Sequence, residues 1–208
     1  DAIATQATKC VVEFNPQELA NTVWALAVWN QGDDVIVTCH RSLVRSLVKV
    51  SPDSFSLESL CQIYQASLWW EEKQLTCALP DGLRKSCKEA FVSPVSSPSK
   101  LQKEVVTSLR SISNVSYVEE EVMTEIGYSL DAVCIYNKTE KVGIEMDGPS
   151  HFIGQSHLPT GSTVLKRRQV RALTNYKLIS VPYWEWNKVR FASEEKKNHY
   201  LLGLLSRL

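Results

Sequence analysis

No C-x-x-C pair occurs among the six cysteines, Cys10, Cys39, Cys61, Cys77, Cys87 and Cys134. The close thiolate spacing of a zinc site is therefore absent. Most of the six fall within apolar helical patterns, so they read as reduced, buried thiols and imply a reducing compartment. No apolar run approaches the roughly 20 residues that span a bilayer, and no membrane partner is expected. No signal-peptide pattern stands at the N-terminus. The sequence starts at Asp1 without a methionine and is expected to be a piece of something longer. What the chain does have is apolar content: 44% of 208 residues are hydrophobic, enough for a sizeable core.

Net charge is zero but unevenly distributed. Residues 1–135 carry 11 Lys/Arg against 17 Asp/Glu, and residues 136–208 carry 12 against 6. The basic excess of the C-terminal part suits an anionic partner there.

A Ser/Pro-rich stretch, Val92-Ser93-Pro94-Val95-Ser96-Ser97-Pro98-Ser99, divides the chain. Residues 1–91 are expected to form a helical region, 92–99 a linker and 100–208 a second domain. In the first part Asn15 reads as an N-cap, Pro16 as the first helical residue and Glu18 as the capping-box partner. Leu19, Val23, Leu26 and Ala27 follow at helical spacing, and further helices are expected over Val35 to Val50 and Ser56 to Trp70. At an offset of 41, Phe14 aligns with Phe55, Leu19 with Leu60, Val23 with Tyr64, Ala25 with Ala66 and Trp29 with Trp70. Two helices per roughly 40 residues is the signature of an α-solenoid. The phrase from Asn15 to Ala27 resembles the octatricopeptide-type repeat of organellar RNA-maturation factors.

The second part reads as α/β. A helix is expected over Lys100 to Leu109, then strands beginning at Ser116, from Tyr128 to Ile135 and from Lys141 to Met146. A helix over Leu165 to Asn175, capped by Ser162 or Thr163, precedes a strand from Tyr176 to Pro182 and a last helix from Glu194 to Leu205.

The acidic residues of this part carry the chemistry. Glu145 and Asp147 lie two apart on a strand, hence on one face. Asp131 sits on the strand before, and His151 follows the turn at Gly148-Pro149. Three carboxylates suit Mg²⁺ or Mn²⁺, and a histidine can move a proton. Lys166, Arg167, Arg168 and Arg171 fall in the next helix, near an N-terminus suited to phosphate. Tyr183 and Trp184 are aromatics of the kind that stack on unpaired bases. Trp186 is expected in the core.

The blocks Gly127 to Asp131, Ile144 to Phe152, Thr163 to Arg168 and Val181 to Trp186, in this order, resemble the RAP domain, found also in FAST-kinase-domain-containing proteins. The resemblance implies a restriction-endonuclease-like (PD-(D/E)xK-type) α/β fold after the helical repeats. In nucleases of that fold an Asp and a Glu hold Mg²⁺, and a Lys usually stands two residues beyond the Glu. Here Asp131 and Glu145 match the carboxylates, but Asp147 occupies the Lys position. The resemblance implies an RNA-binding protein of mitochondria or, alternatively, chloroplasts, acting in RNA processing, stability, translation or ribosome assembly. RNA, single-stranded or ribosomal, is the expected partner, with other ribonucleoprotein subunits beside it. Two further readings stand next to this one. The first is a metal-dependent endoribonuclease using Asp131, Glu145 and Asp147 as ligands, His151 for proton transfer and Lys166 as a phosphate clamp. The second is a structural component of an organellar ribosome, its site vestigial.

Overall fold

A computed structural model describes residues 2–30, 34–76, 78–92 and 98–208. Most of the expected linker (93–97) and Cys77 lie outside these residues. The chain divides into two compact units, Asp1–Ser93 and Pro94–Leu208.

The first unit is helical: α1 (Ala2–Cys10), α2 (Pro16–Trp29), α3 (Asp34–Leu47), α4 (Leu57–Glu72) and α5 (Asp81–Phe91). Helix α2 starts as its sequence requires, with a complete capping box between Asn15 and Glu18. It ends at Asn30, which adopts a left-handed conformation (φ 60°). Helix α2 packs on α3 and α4, α1 on α3, and α4 on α5. Leu19, Val23, Leu26 and Ala27 of α2 are buried, as are Ile63, Trp69 and Trp70 of α4. Polar ties fix this interface. Trp24 Nε1 donates to Gln65 Oε1 at 2.8 Å and Trp69 Nε1 to Asn30 Oδ1 at 3.0 Å. Helices α1 and α5 were not read from sequence.

The second unit opens with α6 (Lys100–Leu109), followed by β1 (Val115–Met123), β2 (Ser129–Tyr136) and β3 (Glu140–Asp147). Helix α7 (Gly161–Leu173) crosses to β4 (Lys177–Pro182), and α8 (Tyr183–Val189) and α9 (Glu194–Leu205) complete it. The sheet order is β1-β2-β3-β4; the first three strands form an antiparallel meander, and β4 runs parallel to β3. Alternation along the strands decides what each face does. Ala132, Cys134, Tyr136, Val142, Ile144, Met146, Ile179 and Val181 form a core with Val105, Val106 and Leu109 of α6, Trp186 of α8, and Leu201 and Leu205 of α9. The residues between them on β3, Gly143, Glu145 and Asp147, belong to the opposite face. Strand β1 is irregular: its register shifts between Ser116 and Val118, and Tyr117 and Glu121 have positive φ (50° and 56°).

Among the described residues Cys10, Cys39, Cys61, Cys87 and Cys134 are free thiols. Burial pushes Cys87 up to about 12 and Cys134 up to about 11, so both stay protonated and inert.

A sealed acidic centre and its aromatic rim

Three strands and one helix assemble the site. Parallel pairing sets Glu145 of β3 opposite Ser180 of β4, and Asp147 opposite Pro182. The β2–β3 ladder ends at Ala132 and Ile144. Just beyond it, Asp131 Oδ2 accepts the Met146 N–H at 2.6 Å, so a side chain takes over where backbone pairing stops. The buried Gln102 of α6 fixes this corner by donating from Nε2 to the Asp131 carbonyl at 2.9 Å.

Helix α7 is set down over the carboxylates by its N-terminus. Its N-cap is Thr160, whose hydroxyl accepts from the Thr163 N–H. The expected caps, Ser162 and Thr163, lie inside the first turn instead. Three hydroxyl residues within four positions are locally interchangeable as caps, and the His151 carbonyl decides between them. It accepts from the Thr160 N–H at 2.9 Å and from Thr163 Oγ1 at 3.2 Å. Leu165, Gln169 and Val170 of α7 are buried, and Tyr128 Oη donates to Gln169 Oε1 at 2.8 Å.

With α7 so placed, Lys166 and Arg167 are engaged with the strand carboxylates. Lys166 Nζ lies 2.7 Å from Glu145 Oε2. Arg167 Nη2 pairs with Asp147 Oδ2 and donates to Ser180 Oγ at 2.9 Å; the Ser180 hydroxyl donates in turn to Asp147. His151 Nδ1 stands 2.9 Å from Asp147 Oδ1. Glu145 and Asp147 are only 2% and 1% exposed. Their ammonium and guanidinium partners retain 24% and 18% exposure, so the centre is covered by its own cations. Glu145 Oε1 and Arg167 Nε are buried and make no hydrogen bond.

The environments push the three acids apart. Burial raises Glu145 to about 7, against the opposing pull of Lys166. Asp131 is also raised, chiefly by burial, although the Met146 N–H and Lys166 work against this. Burial acts upward on Asp147 too, but His151, Ser180 and Arg167 outweigh it and hold its carboxyl below the usual range. The Asp147 carboxylate in turn holds the His151 imidazole above its ordinary value. Separated acidities in one pocket are a mark of functional sites and also of structural ion-pair networks.

The donor set does not fit a metal ion as it stands. Glu145 and Asp147 are each already neutralised by a cation of the same chain, and Asp131 spends an oxygen on a backbone amide. Among the described residues, no group of three or more His, Cys, Asp or Glu side chains is arranged to hold one.

An aromatic cluster lies at the end of β3 and β4 where Asp147 sits. Phe152 follows His151, while Tyr183 and Trp184 open α8 directly after β4. The Trp184 ring meets Phe152 edge-on at 4.2 Å and Tyr183 at 5.3 Å, and stacks on His157 at 4.0 Å. Tyr183 and Trp184 are both half-buried. Trp186 is in the core as expected, with Nε1 donating to Glu104 at 2.9 Å. Of the remaining cations, Arg168 is half-buried and Arg171 is exposed. Arg171 donates to the Leu178 carbonyl at 3.1 Å and, with Tyr176, Lys177 and Arg207, lines a groove of about 510 Å³ beside β4. Sequence reasoning missed Ser180, Gln102 and His157. Only Ser180 had a signal, since pairing β4 alongside β3 with period two brings it to Glu145.

The fold and site define a small α/β domain with a cation-sealed acidic centre, an aromatic rim and basic surface on the crossover helix. Residues 144–204, from β3 to the end of α9, match the family model of the RAP domain. That part of the second unit is thus similar to the RAP domain, a family of generally RNA-binding domains. The chain is 27% identical over 202 residues to a RAP domain-containing protein, chloroplastic, of Oryza sativa subsp. japonica, an alignment that includes 93% of this chain. The chain spans 30% of the length of that relative. No helix among the described residues is long and apolar enough to cross a membrane.

Proposed function

We propose that this protein is an organellar RNA-binding factor whose RAP domain, over residues 100–208, grips RNA beside a nuclease-like acidic centre without cutting it. Its task is RNA processing, stability, translation or ribosome assembly. One observation carries the reading: Lys166 and Arg167 neutralise Glu145 and Asp147 from within. A restriction-endonuclease-like centre needs Asp131 and Glu145 for a metal; Lys166 occupies Glu145, and the Met146 N–H occupies one Asp131 oxygen. The meander followed by a parallel strand supports that fold. RNA phosphates are then met by Arg168, by Arg171 and its basic groove, and by the outward parts of Lys166 and Arg167. Tyr183 and Trp184 serve the bases. Residues 1–91 act as octatricopeptide-like helical repeats that follow the strand or dock a protein partner. The packing of α2 on α4, whose sequences align at an offset of 41, supports this. The name of the rice relative favours the chloroplast over the mitochondrion.

The test is incubation of end-labelled RNA with the protein in Mg²⁺, Mn²⁺ or EDTA, beside Asp131→Asn and Glu145→Gln. Intact RNA, retained by wild type and variants alike, supports the reading. Metal-dependent cleavage lost in both variants sinks it and establishes the endoribonuclease. One feature favours that second reading: Lys166 reaches Glu145 from α7, where the fold's nucleases bring a lysine from the strand itself.

A further inference from the structure

Trp184 is held as a platform. Phe152 and Tyr183 stand against it edge-on, at interplanar angles of 67° and 84°. Both contacts leave a ring face for a third, parallel group. That place is taken by His157, whose imidazole lies 9° from coplanar with the indole at a centroid separation of 4.0 Å. A flat nitrogen heterocycle stacked face to face on a tryptophan is the arrangement a nucleobase adopts on an aromatic platform.

His157 arrives from a loop that closes independently of this contact. Phe152 and Pro159 pair as an isolated bridge, the Ile153 N–H donates to the Leu158 carbonyl at 2.9 Å, and the Ser156 N–H donates to the Ile153 carbonyl at 2.9 Å. Gly154 supplies the positive φ (54°) the turn needs. These bonds are made by residues other than His157, so its imidazole can leave the indole while the loop stays closed. The loop also presents Ile153 and Leu158 to solvent, at 58% and 66% exposure, beside the platform. Lys188 is exposed four residues beyond Trp184 on α8, hence on the same side of the helix and one turn away, where a phosphate next to a stacked base can be met.

We infer that Trp184 is a nucleobase-stacking subsite and that His157 holds the place of the base in the free protein, leaving when single-stranded RNA binds. The inference rests on the RNA-binding reading and adds to it a position, a ligand class and a competitor. The energetic order favours the exchange. A nucleobase offers the indole a larger flat surface than an imidazole does, so it gains more by stacking there. The larger base also arrives tethered to phosphates that the basic surface binds.

The experiment uses the full chain and two fluorescently end-labelled probes, a short single-stranded oligoadenylate and an abasic ribose-phosphate strand of equal length. If the inference holds, His157→Ala binds oligoadenylate about 2- to 5-fold more tightly, because the competitor is gone. Trp184→Ala binds it roughly 5- to 100-fold more weakly. Affinity for the abasic strand moves in neither variant, and adding His157→Ala to Trp184→Ala changes nothing further. Oligoadenylate affinity that is unchanged or weakened in His157→Ala overturns the inference while leaving RNA binding intact. His157→Ala alone decides this if Trp184→Ala does not fold. Failure of the wild type to bind either strand overturns the RNA-binding reading itself, and the inference with it.

Discussion

Lys166 Nζ lies 2.7 Å from Glu145 Oε2, and the two come from a helix and a strand that are 21 residues apart in the chain. The other oxygen of Glu145, Oε1, is buried and makes no hydrogen bond. The pair is a single cation pulling down a carboxyl that burial raises, and the balance leaves Glu145 at about 7.

Lys166→Met should therefore destabilise the second unit in a pH-dependent way. Where Glu145 is protonated in both proteins the loss is under about 1 kcal/mol, and by about pH 8 it reaches roughly 2–3 kcal/mol. Denaturant unfolding at the two pH values measures this. Adding Glu145→Gln should remove most of the pH-dependent part, as expected of directly coupled neighbours.

The wild type should lose stability as pH rises from about 5 to about 8. Glu145 keeps its proton in the folded state from its ordinary 4.5 up to about 7, so deprotonation in that window costs folding free energy. His151, held above 6.5 by Asp147, acts in the same direction: its contribution is complete below 6.5 and fades as pH climbs through its folded value. Asp147 acts oppositely and lower, its contribution being lost only as pH falls below the ordinary 3.8. Glu145→Gln should flatten the neutral slope by up to roughly 3 kcal/mol over the window. An unchanged slope would refute the assignment.

Asp147→Asn should lower the pKa of the His151 imidazole, since the neighbouring carboxylate is what supports its protonated form. The imidazole proton resonances, followed through a pH titration, give the answer directly.

Trp186→Ala should cost about 3–5 kcal/mol in the second unit, because the residue is fully buried at the junction of α6, α8 and α9. Asn15→Ala should cost about 1 kcal/mol in the first unit, by removing the cap of α2. The two losses should appear in the unfolding of different units when each is followed by hydrogen exchange.

Most of the element order in the second unit was legible because those elements announce themselves locally. Lys100–Leu109 and Glu194–Leu205 have the bounds their apolar spacing gave, and the strands agree to within a residue or two. Helix α8 was not legible. Pro182-Tyr183-Trp184-Glu185-Trp186 carries residues of high strand propensity, and its helical form comes from Trp186 being drawn into the core. Asp131, Glu145, Asp147 and His151 could be picked out by residue type and spacing, yet their pairing could not. Whether Lys166 and Arg167 face water or the strands depends on how α7 is rotated about its axis. The His151 carbonyl sets that rotation through Thr160 and Thr163. No local pattern records such a contact. His157 was invisible for the same reason, since its partner lies 27 positions further on.

The irregular first strand has a consequence for life at high concentration. A sheet border that is straight and apolar invites a second molecule to zip on. Strand β1 is bent by its register shift, twice left-handed, and armed with Glu119, Glu120 and Glu121. On the far border, the Arg171 guanidinium occupies the Leu178 carbonyl. Both margins are thus blunted against the growth of a four-stranded sheet by further strands.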